Sequence, residues 1–396
     1  PNINRKLENI LIIGSGGREN SLGWAIQKNE FVKKIYLSPG NGGSEKIKKC
    51  MRIDLDIVFK KDLINKLKSL DIDLVVIGPE IPLAAGLGDY LRKNNFDVFG
   101  PNQDGAKLEY SKSWAKEFMK NANIPTSKFW RIDSFEEAQK VINSSIDPLV
   151  VKADGLASGK GVFIPKSKDE CLQATKTIFN GKFGESGQVV VLEEKIQGPE
   201  VSIFALCDGE KYVLLPTAQD HKRLNEKDEG PNTGGMGAYS PTPLVTPNLL
   251  SEIVKEIIKP TIDELRKKNI DYRGVIYFGL MITELGPKVI EYNCRFGDPE
   301  CQTIMPLLDK NFVILLQKCA MGNLSGNEKI DIAHKVSGCV ITTSSGYPNE
   351  YKTGFPIEIG KIDTTDCQIF DSGTSLSKKG ELFCLLYTSD AADEHG

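Results

Sequence analysis

The stretch "VIEYNCRFGDPE", residues 289–300, sets Glu291, Asn293 and Arg295 at alternate positions of a strand-like run. Side chains two apart on a β-strand share a face, so the three are expected to point the same way. A carboxylate and an amide oxygen are hard donors suited to Mg2+. A guanidinium just beyond them can neutralise a phosphate or a carboxylate substrate. The competing reading is a solvated strand face, with Val289, Glu291 and Asn293 merely alternating against Ile290 and Tyr292. Both faces carry substantial side chains, so the site reading is carried forward.

Other stretches invite similar scrutiny. In "ILIIGSGGREN", residues 10–20, Gly14 and Gly16 have the spacing of a dinucleotide loop, but Glu19 holds the third position. Ser38 and Pro39 end the second strand, where a ribose-binding acid would be wanted. NAD is therefore disfavoured. Two readings stay open: a turn without a ligand, or a helix N-terminus receiving a single phosphate, with Arg18 adding charge. "DGLASGKGV" misses the P-loop pattern, because Gly155 and Gly159 enclose three residues and Gly161 replaces the Ser or Thr that would hold Mg2+. As a hairpin bearing Lys160 beside Lys152 it can close over a nucleoside triphosphate, or simply be solvated. "LEEKIQGPEVS" offers Glu193, Glu194 and Glu200 near a strand edge that could receive adenine and ribose, a weak signal alone. The long charged and Gly-rich stretch from Gln219 to Pro241 reads as a functional loop, with His221 structural.

The elements that must position these residues follow from periodicity. Ile10–Ile13, Ile35–Leu37, the run ending at Gly78 and Pro79, and Val98–Phe99 read as buried strands. They alternate with helices at Arg18–Lys28 and about Ala84–Lys93, which argues for a parallel sheet covered on both faces. Lys107–Asn121 reads as one helix, and a small α+β unit follows with a helix near Asp169–Phe179. Longer paired strands turn at Asp208-Gly209 and around Gly286-Pro287. Between them lie a Gly-rich loop, Gly230 to Gly237, and a helix from Leu249 to about Lys268. From about Ile330 the chain reads as a further β-rich unit.

Composition sets outer bounds. The 396 residues allow two to four domains, and 40% hydrophobic with 26% charged residues is ordinary for a globular protein. A net charge of −3, with basic residues dispersed, gives no reason to expect nucleic acid or an anionic membrane as partner. No apolar run reaches the ~20 residues of a membrane span, and the N-terminus reads as a polar lead into a strand, not a signal peptide. Nine scattered Cys fit reduced thiols in the cytoplasm, and three His without metal-ligand spacing argue against zinc.

Taken in order, "GSGGRE", "SPGNGG", "VVIGPEIPLAAG", "FGPNQDGAKLEYSK", "VVKADGLASGKGV", "AQDHKRLNEKDEGPNTGGMGAYSP" and "VIEYNCRFGDPE" resemble the phosphoribosylamine–glycine ligases, ATP-grasp enzymes of purine synthesis. The resemblance runs from about Ile10 to Leu382. It implies an α/β and α+β multidomain fold. Residues 1–103 would form a Rossmann-like (pre-ATP-grasp) domain for the substrate phosphate. Residues 104–125 with 193–329 would form the main ATP-grasp subdomain, 126–192 its lid, and 330–383 a small β-rich domain, incomplete. Residues 384–396 form an atypical tail.

The chemistry implied is phosphorylation of glycine by ATP, then attack of the phosphoribosylamine amine on the glycyl phosphate. Lys112, Lys152, Gly155, Ser158, Gly159, Lys160, Gly161, Glu193, Lys195 and Glu200 match nucleotide-contacting positions, and Glu291 and Asn293 the Mg2+ or Mn2+ ligands. Gly16, Gly17, Arg18, Glu19, Pro39, Gly40, Asn41, Glu80, Asp220, Lys222, Asn232, Gly234, Gly235, Met236, Gly237, Arg295 and Asp298 match substrate-binding positions. Arg295 and Lys152 would act in catalysis. Expected partners are glycine and phosphoribosylamine, with no nucleic acid and no membrane, in a cytoplasmic monomer or weak dimer.

Two departures stand out. Asn20 takes the place of the family's His after "GRE", losing a titratable ring. The family pattern holds through "DSGTSLSKKGELF" and then gives way to "CLLYTSDAADEHG", expected to be a foreign ending. The rivals are another carboxylate–amine ligase of the ATP-grasp class, an NAD-dependent oxidoreductase, and a catalytically dead binding protein.

Overall fold

The computed structural model describes residues 6–57, 60–157, 161–226, 229–330, 332, 335–363 and 365–385. The chain begins with β1 (Asn9–Gly14), α1 (Gly17–Ile26), β2 (Lys34–Pro39), β3 (Cys50–Arg52), α2 (Lys60–Ser69), β4 (Leu74–Ile77), α3 (Glu80–Ala84), α4 (Leu87–Lys93) and β5 (Val98–Phe99). The five strands form one parallel sheet in the order β3-β2-β1-β4-β5. Its central strands are apolar throughout because both faces are covered. Leu11, Ile13, Val75 and Ile77 face one core, while Ile10, Ile12, Leu74 and Val76 face another. The helix expected at Ala84–Lys93 is two helices, parted at Gly86, whose φ of +83° suits glycine.

Next come α5 (Gln103–Tyr110) and α6 (Lys112–Asn121). The single helix expected over Lys107–Asn121 breaks at Ser111, which is extended (φ −132°, ψ 99°) and caps α6 by accepting from the Trp114 amide. A separate unit follows: β6 (Phe129–Ile132), α7 (Phe135–Ser144), β7 (Val150–Ala153), β8 (Val162–Phe163), α8 (Lys168–Thr177) and β9 (Val190–Glu193). Its strands pair antiparallel in the order β6-β9-β7-β8. Ser134 and Ser167 cap the two helices, and Ala138 and Ile142, four apart on α7, drop into a core belonging to this unit alone.

The rest supplies β10 (Glu200–Asp208), β11 (Tyr212–Leu214), β12 (Gln219–Asn225), β13 (Glu229–Ser240), α9 (Pro247–Ile253), α10 (Lys259–Lys267), β14 (Arg273–Thr283), β15 (Gly286–Asn293), α11 (Glu300–Ile304), α12 (Phe312–Met321), β16 (Ser337–Val340), β17 (Thr374–Leu376) and β18 (Leu382–Cys384). An antiparallel sheet β11-β10-β14-β15 carries the long hairpins, a second joins β12-β13-β16, and β17 and β18 form a ribbon. The expected loop Gly230–Gly237 is a correction: it lies within β13, paired with β12 through two register shifts. Beyond Ile330 the described residues hold less strand than expected: β16 joins the β13 sheet and only one ribbon follows. Residues 386–396 of the expected atypical tail lie outside the described residues. No described helix is long and apolar enough to cross a membrane.

Candidate functional site

Glu193 ends β9 and pairs through its backbone with β6 and β7, which places Lys152 of β7 beside it. Its Oε1 lies 2.9 Å from Lys152 Nζ and its Oε2 3.0 Å from Lys116 Nζ of α6. Ser127 Oγ also donates to Oε2 at 2.8 Å. Burial would push this carboxyl up, but the two ammonium groups outweigh it and hold Glu193 down to about 2. Burial pushes Lys116 down to about 8. Lys112, at the start of α6, donates from Nζ to the Gly155 carbonyl at 3.0 Å, and burial followed by the neighbouring Lys152 lowers its pKa. The 155–161 turn is thus tied to α6 at its start, while Ser158, Gly159 and Lys160 lie outside the described residues. Lys195 and Glu200 are exposed on the segment joining β9 to β10.

Across the cleft, β15 presents Glu291. Leu280 pairs with Val289 and Gly279 with Glu291, so Ile290 is an extra residue in the ladder. The bulge changes which face is which. Val289 and Tyr292 are buried, while Glu291 and Asn293 stay partly open. The alternation imagined for a plain strand, with Val289 beside Glu291, is corrected by this one residue. Burial raises the Glu291 carboxyl, but Lys222, Lys152, Lys112 and Arg295 together hold it below its usual range. Lys222 Nζ lies 3.9 Å from Glu291 and 3.7 Å from Asp220, and Asp220 above all raises the Lys222 pKa. One half-open carboxylate is therefore faced by cations from β7, α6, β12 and the segment after β15. That setting suits an anion with many charges, and the Glu291 and Asn293 oxygens suit a hard divalent cation.

Arg295 is itself buried and clamped. Its Nη2 lies 3.0 Å from Glu109 Oε1 of α5, its Nε donates to Glu80 Oε2 at 3.2 Å, and Nη1 donates to the Phe296 carbonyl at 3.2 Å. Glu109 accepts in turn from the Cys294 amide at 2.9 Å, and burial pushes its pKa up. The guanidinium is held at a fixed angle before any ligand arrives.

The third group lies at the carboxyl ends of β1, β2 and β4, where open α/β sheets bind ligands. Glu19 fills the place that a third glycine would leave empty. Its Oε2 accepts from the Gly16 amide at 2.8 Å, and its Oε1 accepts from Arg18 Nε at 2.8 Å. A Cβ on Gly14 or Gly78 would fall 2.4 Å or 2.0 Å from Glu19 atoms, so both glycines are there to admit it. Arg18 turns inward, donating to the Phe296 carbonyl at 3.2 Å and joining α1 to the 294–298 segment. Its guanidinium is paired with Glu19 at 2.8 Å. Asn41 donates to the carbonyls of Ser15 and Asp371, and Asn20 Oδ1 accepts from the Asp371 amide at 3.3 Å. Pro39, which ends β2, and Gly40 directly precede Asn41, and Asp298 Oδ2 accepts from the Arg18 amide at 3.4 Å. The segment Asn232 to Gly237 runs along β13, where the Gly234 amide donates to Tyr347 Oη at 3.1 Å.

Residues 8–109 match the family described as phosphoribosylglycinamide synthetase, N domain, and residues 110–301 its ATP-grasp (A) domain. The chain belongs to the phosphoribosylglycinamide synthetase family. It is 40% identical to the phosphoribosylamine–glycine ligase of Caldanaerobacter subterraneus, covering 97% of this chain and 93% of that one. It is 42% identical to the human trifunctional purine biosynthetic protein adenosine-3, covering 94% of this chain and 37% of that one. The crystal structure of the Thermotoga maritima phosphoribosylamine–glycine ligase superposes with a TM-score of 0.84 at 31% identity, covering 96% of this chain and 90% of that one. A biotin carboxylase from Campylobacter jejuni shares the fold alone, at 16% identity and a TM-score of 0.70.

Within this synthetase fold, two contributors escaped the sequence reading. Lys116 follows Lys112 by four residues, so both sit on one face of α6, a usable signal. Glu109 stands inside the "KLEYSK" stretch, but only the tertiary approach of α5 to the end of β15 gives it Arg295 as a partner.

Proposed function

We propose that the protein joins glycine to phosphoribosylamine, converting ATP to ADP and phosphate and giving glycinamide ribonucleotide in purine biosynthesis. The observation that carries this reading is the half-open Glu291 carboxylate ringed by Lys112, Lys152, Lys222 and Arg295, in a chain of this family. Lys112 and Lys152 would neutralise the nucleotide phosphates, and Arg295, preset by Glu80 and Glu109, the charge on the transferring group. Glu291 and Asn293 would hold Mg2+, or Mn2+, which would supply charge neutralisation for the nucleotide phosphates. Lys195 and Glu200 stand where adenine and ribose would rest. Asp220, Lys222 and the Asn232–Gly237 strand form the side on which glycine is placed. Phosphorylation turns a poor electrophile into a glycyl phosphate, which the amine opens with loss of phosphate.

In this reading the unit of residues 126–192, with its private core, is the lid. It closes on the main subdomain formed by 104–125 and 193–329, keeping water from the acyl phosphate. Residues 1–103 present the sugar phosphate, and 330–383 complete the rim. The enzyme works in the cytoplasm as a monomer or weak dimer, without nucleic acid or membrane. A coupled ADP assay with each substrate omitted in turn tests the reading. Turnover is expected only with glycine and phosphoribosylamine together, and turnover indifferent to glycine would overturn it.

A further inference from the structure

Among the described residues, buried side-chain oxygens without a hydrogen-bond partner lie around the start of α1 and the loop after β2: Gln302 Oε1, Ser372 Oγ and Thr374 Oγ1. Gln302 is 4% exposed and Thr374 7%. The Gln302 amide nitrogen lies 2.6 Å, and Ser372 Cβ 3.4 Å, from the point a Cβ on Gly17 would occupy. Thr374 Oγ1 lies 3.0 Å from the corresponding point on Gly42. A sequence separation of some three hundred residues is bridged here by a strap, 371–374, laid across both glycine loops. The Gly42 amide donates to the Thr374 carbonyl at 3.1 Å, and Asn41 Nδ2 to the Asp371 carbonyl at 2.7 Å. A Cβ on Gly43 would fall 1.9 Å from Asp371 Oδ2, so that glycine of "SPGNGG" makes room for the strap.

The orphan atoms have a polarity. Gln302 Nε2 is spent on Asp298 Oδ1 at 2.6 Å, leaving an amide oxygen that can only accept. Two hydroxyls, Ser372 and Thr374, are free to donate. A phosphate group that has lost its acidic protons only accepts and leaves Gln302 unsatisfied. A phosphorylated sugar offers both: acceptor oxygens at one end, hydroxyl donors at the other. Each orphan carries a desolvation cost that such a ligand would relieve.

We propose that the 371–374 strap closes the phosphoribosylamine pocket, with the Ser372 and Thr374 hydroxyls donating to the 5′-phosphate and Gln302 Oε1 accepting from a ribose hydroxyl. This rests on the ligase reading and gives roles to residues to which the resemblance assigned none. The test uses the full chain and two readouts. In thermal-shift titrations, ribose 5-phosphate protects the wild type far better than ribose or inorganic phosphate. Thr374→Val and Ser372→Ala each weaken that protection about tenfold or more, Gln302→Met weakens it for the sugar phosphate, and Thr374→Ser restores it. In turnover, the same variants raise the KM for phosphoribosylamine and leave those for ATP and glycine within about twofold. Unchanged ribose 5-phosphate binding in Thr374→Val and Ser372→Ala would overturn the proposal. So would inorganic phosphate binding as well as ribose 5-phosphate, or all three KM values rising together. Active wild type with unaffected variants sinks the strap alone, whereas a wild type without ligase turnover sinks the function beneath it.

Discussion

Two carboxylates in the cleft do different work, and their surroundings say which. Glu291 is half-open and outnumbered by cations, so its charge is available to a ligand. Glu291→Ala is expected to reduce ADP release to near background while far-ultraviolet circular dichroism and the melting midpoint stay close to wild type. A variant that melts normally and still releases ADP at the wild-type rate would remove Glu291 from the metal site. Glu193 is closed off, and its charge is spent on Lys152 and Lys116. Its folded pKa, about 2, lies below the ordinary 4.5, so the folded state binds fewer protons than the unfolded one. That stabilisation is full above about pH 4.5 and is lost as pH falls toward 2. A drop from 4.5 to about 2 corresponds to something on the order of 3 kcal/mol. Urea melts across this window are expected to show a shallower pH dependence for Glu193→Gln than for wild type. Parallel curves would mean that the lysines do not hold this carboxylate.

Elements decide where these residues stand, and here sequence reading succeeded unevenly. The parallel strands were legible because burial on both faces leaves unbroken apolar runs such as Ile10–Ile13. The break at Ser111 was not, since a cap to α6 looks, in one dimension, like any polar residue on a helix. β13 was missed for a related reason: its glycines lower strand propensity, and the strand is held through pairs with β12 and with β16, the second of which lies far off in sequence. Alternation singled out Glu291, Asn293 and Arg295, yet the bulge at Ile290 that sets the facing of Val289 leaves no mark in the pattern. Gly78 is legible only in hindsight. A Cβ there would lie 2.0 Å from Glu19 and 2.7 Å from the Ile13 carbonyl, between the ends of β4 and β1. Gly78→Ala is expected to destabilise the fold by about 1–3 kcal/mol through overpacking, read as a lower urea midpoint at unchanged slope. A variant as stable as wild type would show that Glu19 can leave its place freely.

At the scale of the whole molecule, the cleft exists only because a unit with its own core meets a body in which the first sheet and the long antiparallel sheet share theirs. Lys152 comes from a unit with its own core, Glu291 from the long antiparallel sheet, and Glu80, a clamp of Arg295, from the start of α3 just after β4. Such pieces can move as bodies, and a polyanion bridging them should slow that motion. Hydrogen exchange is expected to show backbone amides of β7 and of β15 becoming protected together on addition of ATP with Mg2+. Protection of one wall alone would place the nucleotide outside the cleft. Order of motifs made the family legible from the sequence, whereas the meeting of distant segments, Arg18 with Phe296 or Asn41 with Asp371, could not be read from spacing at all.

That last contact has a consequence for synthesis. Every residue around Glu193 and Glu291 is encoded before position 300, whereas the loops after β1 and β2 wait for Asp371 and Thr374. On the ribosome, a nascent chain assembles its nucleotide half while the sugar half is still bare. A fragment ending short of Asp371 would keep the surroundings of Glu193 and Glu291 and lack the contacts that Asp371 and Thr374 make with the loop after β2. On the proposed reading, such a fragment would still take up nucleotide yet hold phosphoribosylamine poorly.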